Sequence, residues 1–457
     1  MLFIKARVRR VKFWWNLTFA YIKRYKFWFV TIVLVGFIVL ATGYKILPLI
    51  FRANVVSLGY VGAYTLDSIP TQILSLATQS LISAGEDGKP IANLASHWDV
   101  SDDGKTYIVF LKDNLQWHDE SPVNAKDISI AISDVAIHAL NNKAIEFKLP
   151  NPIAFFPLAL DRPVFKAKSF YGTGKFRIVD IDQVENVVKK ISLVPKGKKL
   201  PRVDIKFYQT EQQAINALKV GEIKSVSLSN AKSLSDWPNL DVQKRVDNTE
   251  IVTIFYNNAD PLLSSRDIRQ ALSYAINKSE FEGEIAISPI PPNSWTYNNN
   301  VKRYEYSTGK AKELLSKSAL NNPKITLTVT PGFESLGEKI EKDWQEIGLE
   351  VTLKKEKIVP ENFQSLLTFN KVSASQDQYS LWHSTQKSTN ITRYKDVKID
   401  KLLEDARSTQ DESIRRELRL DFQKFLVEDA PVTFLYFPYK YQITYKNIEP
   451  LIAKLPK

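Results

Sequence analysis

The sequence contains no cysteine. That excludes disulfides, thiolate metal sites and a cysteine nucleophile, although it does not by itself identify a compartment. Histidine is nearly as scarce: His97, His118, His138 and His383 are the only four in 457 residues, and no pair has the spacing of a helical metal site. Common catalytic signatures are missing too. There is no H-E-x-x-H, G-x-S-x-G, G-x-x-x-x-G-K-[ST] or G-x-G-x-x-G. No reactive constellation is in view, and catalysis is not expected.

Acidic residues are absent from the start of the chain, where the first is Asp67. The cations before it are Lys5, Arg7, Arg9, Arg10, Lys12, Lys23, Arg24, Lys26, Lys45 and Arg52. They account for most of the formal net charge of +12. Without these ten, the 62 basic residues fall to 52 against 50 acids, so the body is close to neutral. Its basic residues are scattered among acids rather than gathered into a stripe, which argues against a nucleic-acid partner.

Between the two groups of cations, Phe27 to Tyr44 carries no charge. As a helix it would span about 27 Å, close to the hydrocarbon thickness of a bilayer. Trp28 and Tyr44 sit near its ends, where amphipathic rings favour the interface. Eight cations before the run and two after it predict a cytoplasmic N-terminus. The organisation expected is a basic cytoplasmic segment 1–26, a signal anchor 27–51 in the plasma membrane, and an extracytoplasmic body. Leu40-Ala41-Thr42-Gly43 is a poor cleavage site, and a lipoprotein would need a cysteine after it. Phe13-Trp14-Trp15 to Tyr21 is expected along the inner membrane surface.

Hydrophobic residues at 44% and charged residues at 25% describe a globular body, whose length suits two or three domains. Strand composition marks Val55–Tyr60, Thr106–Leu111, Phe176–Val179 and Val203–Phe207. Helical spacing marks Glu211–Val220 before Gly221, residues 266–281, Gly309–Ser318, Leu336–Ile347 before Gly348, Ile399–Ser408 and Asp411–Glu428. Asn124 is a candidate N-cap for a helix from Ala125. Asp102-Asp103-Gly104 reads as a plain turn, and Pro431–Tyr436 as a closing apolar strand. Strands interleaved with helices predict an α/β fold.

Several motifs then fall in one order. Pro90-Ile91-Ala92-Asn93-Leu94-Ala95-Ser96-His97-Trp98 leads through Asp102-Asp103-Gly104-Lys105-Thr106-Tyr107 to Leu115-Gln116-Trp117-His118-Asp119 and Ala125-Lys126-Asp127. Gly172-Thr173-Gly174-Lys175-Phe176 follows, then Ile254-Phe255-Tyr256-Asn257-Asn258 and Asp267-Ile268-Arg269-Gln270-Ala271-Leu272. Trp382-His383-Ser384, Asn390, Tyr394, Asp400-Lys401-Leu402-Leu403 and Glu428-Asp429-Ala430-Pro431 complete the series. In this order they resemble the family 5 solute-binding proteins, the peptide, dipeptide and nickel group of ABC importers.

The resemblance implies a two-lobed, periplasmic-binding-protein-like α/β fold. Residues 53–80, 166–258 and 432–457 would build lobe I, with an inserted subdomain at 81–165, and 259–431 would build lobe II. A peptide or other small solute would bind between lobes that close by a hinge, without a cofactor, and be passed to ABC permease subunits. Two alternatives share the fold: a sensor or adaptor, and a metal or metal-chelate binder in which His118 and His383 face one another across the cleft. The resemblance places ligand contacts at Tyr379, Trp382, His383, Ser384 and Asn390, with Phe255, Asn257 and Trp117 as further candidates. Asp377 is the acid nearest the position where peptide-binding members hold the ligand's amino group. Arg266, Arg269, Arg415 and Arg416 read as solvated helix faces or structural ion pairs.

Overall fold

The computed structural model describes residues 13–16, 20, 23–25, 31, 34–37, 55–197, 200–318, 322–372 and 377–455. Most of the apolar run 27–44 lies outside them. Among the described residues no helix is long and apolar enough to cross a membrane. Residues up to Val55 and residues from Val56 onward form separate units. In the first, the helical residues 13–16 leave Phe13, Trp14 and Trp15 exposed.

The second unit is organised by a sheet of twelve described strands. In chain order these are β1 (Val55–Val61), β10 (Phe176–Val184), β11 (Val187–Pro195), β12 (Arg202–Tyr208), β13 (Ser225–Leu228), β14 (Leu240–Val246), β15 (Glu250–Tyr256), β16 (Gly283–Ile285), β17 (Lys324–Val329), β18 (Glu350–Lys355), β19 (Ser365–Lys371) and β20 (Val432–Tyr445). The strand order is β10-β11-β12-β1-β13-β20-β15-β19-β17-β18, with β14 and β16 also paired to β20. The intervening β2 (Ile82–Ala84) to β9 (Phe165–Lys166) belong to smaller sheets.

β20 belongs to two halves of this sheet. Its first part, Val432 to Tyr436, pairs with β15, while Tyr439 to Tyr445 pairs with β14 and its last residues with β13 as well. Pro438 falls at the changeover. It has no N–H to donate, and its carbonyl instead accepts from Asp247 N–H at 2.8 Å, across the turn joining β14 to β15.

All six residues from Ile251 to Tyr256 are buried, so this strand lies between two covered faces. Val252, Ile254 and Tyr256 pack with Ile268, Leu272, Ile340 and Trp344, which come from helices Arg266–Tyr274 and Glu334–Glu346. Ile251 and Phe255 point the other way, into Phe422 and Leu426 of helix Glu412–Asp429. The first half has its own core, where Ile69, Ile73 and Leu76 meet Phe176, Val188, Ile191, Val203 and Ile205. A further cluster, from Leu81 to Val164, includes Trp117, Phe147 and Phe156.

Gly172 and Gly174 return the chain from that cluster to the main sheet. A Cβ on Gly172 would sit 2.2 Å from the Ala77 carbonyl oxygen, so the approach there requires glycine. His118 fastens the same turn. Its Nδ1 accepts from Gly172 N–H at 3.1 Å and its Nε2 lies 3.0 Å from the Gly174 carbonyl, which selects the neutral Nε2–H tautomer. Burial pushes the imidazole pKa down, in keeping with that form.

Three expected elements differ. Asn124 caps no long helix: its amide donates to Asp127 Oδ2 at 3.0 Å, and only a single turn, Ala125–Asp127, forms before strand pairing resumes. The helix expected at 266–281 stops at Tyr274, and Asn277 then donates its side-chain amide to Glu280 at 2.8 Å. The closing strand runs to Tyr445, well past Tyr436, because Pro438 sits where its partners change.

Candidate functional site

Strand directions locate the site. β13 runs antiparallel to the second part of β20, with Ser225 beside Thr444 and Leu228 beside Tyr441, so its carboxyl end points toward the Pro438 changeover. β1 is parallel to β13 and ends the same way, at Val61. From the other side β19 ends at Lys371, paired with Glu250 next to the Asp247–Thr249 turn. β17 is parallel to both β18 and β19. The carboxyl ends of the parallel strands in both halves therefore point toward one crossing, the topological position at which open α/β sheets place ligands.

The crossing is held by few groups. Asp247 Oδ1 accepts from Thr249 N–H at 3.0 Å and from its hydroxyl at 2.5 Å, and Lys440 Nζ lies 3.8 Å from Asp247 Oδ2. Two segments cross here, 246–250 and 436–440, and Gly283 of β16 pairs with Pro438 beside them.

Beyond the strand ends stand Gly62 to Tyr64, Ser229 and Asn230, and Thr330 to Phe333, with Phe369 and Lys371 among the last residues of β19. Phe369 is 41% exposed on a strand whose other apolar side chains, Leu366 and Leu367, are fully buried. Its ring meets Phe333 edge-on, with centroids 4.7 Å apart. The part of the ring not covered by Phe333 is an aromatic surface open to solvent. Motif order did not single out this residue. An aromatic near the end of an otherwise buried strand was the available signal.

Most of the expected contacts lie elsewhere. Trp382 has no exposed surface; it packs against Phe434, and its indole N–H donates to Gln378 Oε1 at 2.9 Å. His383 is buried between Thr385 Oγ1 at 2.8 Å and Glu404 Oε1 at 3.1 Å. Asn390 is buried and donates to the Tyr394 carbonyl at 2.9 Å, while its oxygen accepts from Thr392 at 2.7 Å. Phe255 is a core residue of β15, and Trp117 is fully buried in the 81–164 cluster. None of these five presents a side chain to a solute in this conformation.

The remaining four are partly accessible. Ser384 is tied to Asp400 through both backbone and hydroxyl. Asn257 Oδ1 accepts from Ala259 N–H at 3.2 Å. Tyr379 stacks on His383 with centroids 4.2 Å apart, and the Arg407 guanidinium lies 4.4 Å above its ring. Asp377 is 3.5 Å from Arg407 Nη2 and accepts from Tyr379 N–H at 3.1 Å. Its charge is already opposed by a cation of the protein.

Around this corner the 81–165 segment touches the second half. Trp295 N–H donates to the Asp87 carbonyl at 3.0 Å, Ala154 N–H to the Arg407 carbonyl at 2.8 Å, and Lys89 pairs with Glu412 while lying over the Trp295 ring. Arg416 Nε donates to the Trp295 carbonyl at 3.0 Å and the Arg415 guanidinium lies 6.0 Å from its ring, so both brace the residue that bonds to Asp87. Asp103 forms the expected plain turn, accepting from Ser101 and from Lys105 N–H.

Residues 89–392 match the family described as bacterial extracellular solute-binding proteins, family 5. The chain belongs to that family. It is a solute-binding protein and not an enzyme. It is 24% identical to the oligopeptide-binding protein AppA of Bacillus subtilis over 84% of this chain and 85% of the relative. To the dipeptide-binding protein of Escherichia coli it is 22% identical over 76% and 80% of the respective chains. Two solved structures share the fold, a mixed α/β architecture of two lobes. NikZ from Campylobacter jejuni in complex with Ni(L-His) has a TM-score of 0.70 at 21% identity, covering 86% of this chain and 94% of the other. AppA from Bacillus subtilis in complex with a nonapeptide has a TM-score of 0.66 at 22% identity, with the same coverage.

The metal reading of this solute-binding protein needed His118 and His383 together. Each is instead committed to its own neighbours, His118 at the 172–174 turn and His383 at Glu404. Among the described residues no three His, Asp or Glu side chains group as a metal site.

Proposed function

We propose that the body captures oligopeptides or similar small solutes at the crossing and delivers them to an ABC permease. In this reading the crossing sets the lobes: lobe I comprises 53–80, 166–248 and 438–457 with the subdomain 81–165 inserted, and lobe II comprises 249–437. β15 and the first part of β20 thus go with lobe II rather than with lobe I, where the sequence-based bounds 166–258, 432–457 and 259–431 put them. The observation that carries it is the convergence of parallel strand ends from both halves on a two-segment crossing, with Phe369 exposed there. Solute must bind the closed arrangement better than the open one, because only that difference drives closure. The run 27–51 anchors the body to the membrane with 1–26 in the cytoplasm. Its support is the uncharged stretch and the lopsided distribution of cations.

Of the expected contacts, Tyr379, Ser384 and Asp377 retain accessible surface and remain candidates for solute contact, whereas Asn257, also accessible, follows the end of β15 farthest from the crossing. Asp377 takes a peptide's amino group only if the ligand displaces Arg407, so recognition of the amine is expected to be weak.

The test is a tryptophan-fluorescence and calorimetric titration of the full chain with a panel running from dipeptides to nonapeptides. Saturable binding of at least one length class is expected, and silence across the panel would sink the peptide reading. With a bound peptide in hand, Phe369→Ala should weaken it about tenfold, a loss of about 1.4 kcal/mol. Wild-type affinity in that variant would take Phe369 out of the site.

A further inference from the structure

A cavity of about 340 Å³ lies in the second half; one wall reaches the crossing at Ile285, which pairs with Tyr436, and the rest is set back from it. Val432 to Phe434 form part of its wall and precede Pro438 by several residues of strand, roughly 13–20 Å. Ile276, Ile285, Ile287 and Val427 add aliphatic surface, and Tyr304 and Tyr306 add aromatic surface. At water's share of about 30 Å³ each, the space holds roughly ten heavy atoms.

Lys278 stands in this wall, only partly exposed to solvent. Most of its neighbours have partners of their own. Lys302 pairs with Glu428 at 2.9 Å, Glu280 accepts from Asn277 at 2.8 Å, and Asp343 accepts from Asn277 N–H at 3.3 Å. Arg303 donates to Asn299 at 2.7 Å, and Glu305 is exposed at the rim. Among the described residues no carboxylate pairs with the Lys278 ammonium. Burial alone pushes it down to about 8. A half-buried cation without a counter-ion, beside an apolar space of ligand size, is a costly arrangement that an anion would relieve.

We propose that this cavity is a second ligand site, taking a small organic anion whose carboxylate pairs with Lys278 while a short alkyl tail packs on Ile276, Ile285, Ile287, Val432 and Phe434. The charge fixes the orientation of the ligand and the isoleucines fix its girth. Occupation ties the 276–287 segment to the start of β20. Its lining includes neither Phe369 nor the Asp247–Thr249 turn, so it is a separate pocket from the solute site.

The probe is hexanoate, compared with hexanol and hexylammonium, titrated calorimetrically into the full chain in nanodiscs against empty discs. Hexanoate should bind, hexanol at least tenfold more weakly, and hexylammonium not detectably. Lys278→Met should reduce hexanoate affinity at least tenfold and leave hexanol unchanged. Ile287→Trp, which fills the space, should abolish both. Phe369→Ala should bind hexanoate as the parent does. Equal binding of hexanoate and hexanol to the unmodified protein, or no binding of hexanoate at millimolar concentration, overturns the proposal. Loss of hexanoate in Phe369→Ala overturns it as well, because the anion would then sit at the crossing.

Discussion

Trp382→Ala should destabilise the protein by about 3–5 kcal/mol and leave the solute affinity of the folded fraction unchanged. The indole is completely buried among Ile251, Phe255, Leu366, Phe422 and Leu426, with the Phe434 ring edge-on at 6.4 Å. Truncation removes that packing and leaves a hole that the surrounding strand and helices cannot collapse to fill. It also strands the Gln378 side chain, which is 6% exposed and whose oxygen accepts the indole N–H. An acceptor left unpaired in the interior adds to the loss. Urea unfolding of parent and variant gives the stability difference, and peptide titration of the folded variant gives the affinity. A variant of parental stability that binds solute tenfold more weakly would return Trp382 to the ligand site.

That inversion shows where motif order stops being informative. The order of short motifs was enough to name the family and the two-lobed α/β fold, because each motif marks a turn or helix start that the chain must make. Gly172-Thr173-Gly174 is such a case. The glycines are read from sequence, and the structure supplies the reason in the Ala77 carbonyl that excludes a Cβ. Gly221 and Gly348 likewise end helices where left-handed backbone is needed, at φ +74° and +100°.

Burial is a different matter. Whether Trp382 faces solute or core depends on helix 412–429 and strand 432–445 arriving from far along the chain to cover it, and nothing near position 382 encodes their arrival. His383, Asn390 and Phe255 share that history. Phe369 is the converse, an aromatic that stays 41% exposed with only the Phe333 ring recorded against it. The changeover within β20 was also illegible. Its signal was one proline inside an apolar strand, and only the pairing shows that Pro438 marks a change of partners rather than a strand end.

Arg269→Met should cost about 3–5 kcal/mol, although the methionine occupies a similar stem. The sequence allowed either a solvated face or a structural role, and the structure selects the second: Arg269 is 4% exposed. Its Nε donates to the Ala430 carbonyl at 3.1 Å and its Nη2 to the Asp429 carbonyl at 2.6 Å. Its Nη1 donates to the Leu263 and Ser264 carbonyls at 2.8 and 3.0 Å, and Asp429 Oδ2 lies 3.5 Å from Nη2. One planar fork thus satisfies the final carbonyls of helix Glu412–Asp429, where the helix dipole is negative, and a loop that precedes its own helix. Ala430 is held at φ 50° and ψ 48°, a left-handed conformation that an alanine adopts only at some cost, and the chain then turns directly into β20. Arg269→Lys keeps the charge but not the fork geometry, so it should recover only part of the loss. Denaturant unfolding of the three proteins decides the matter. A methionine variant within about 1 kcal/mol of the parent would mean that water satisfies these carbonyls unaided, and the strand that both lobes share would then owe its starting position to something other than this arginine.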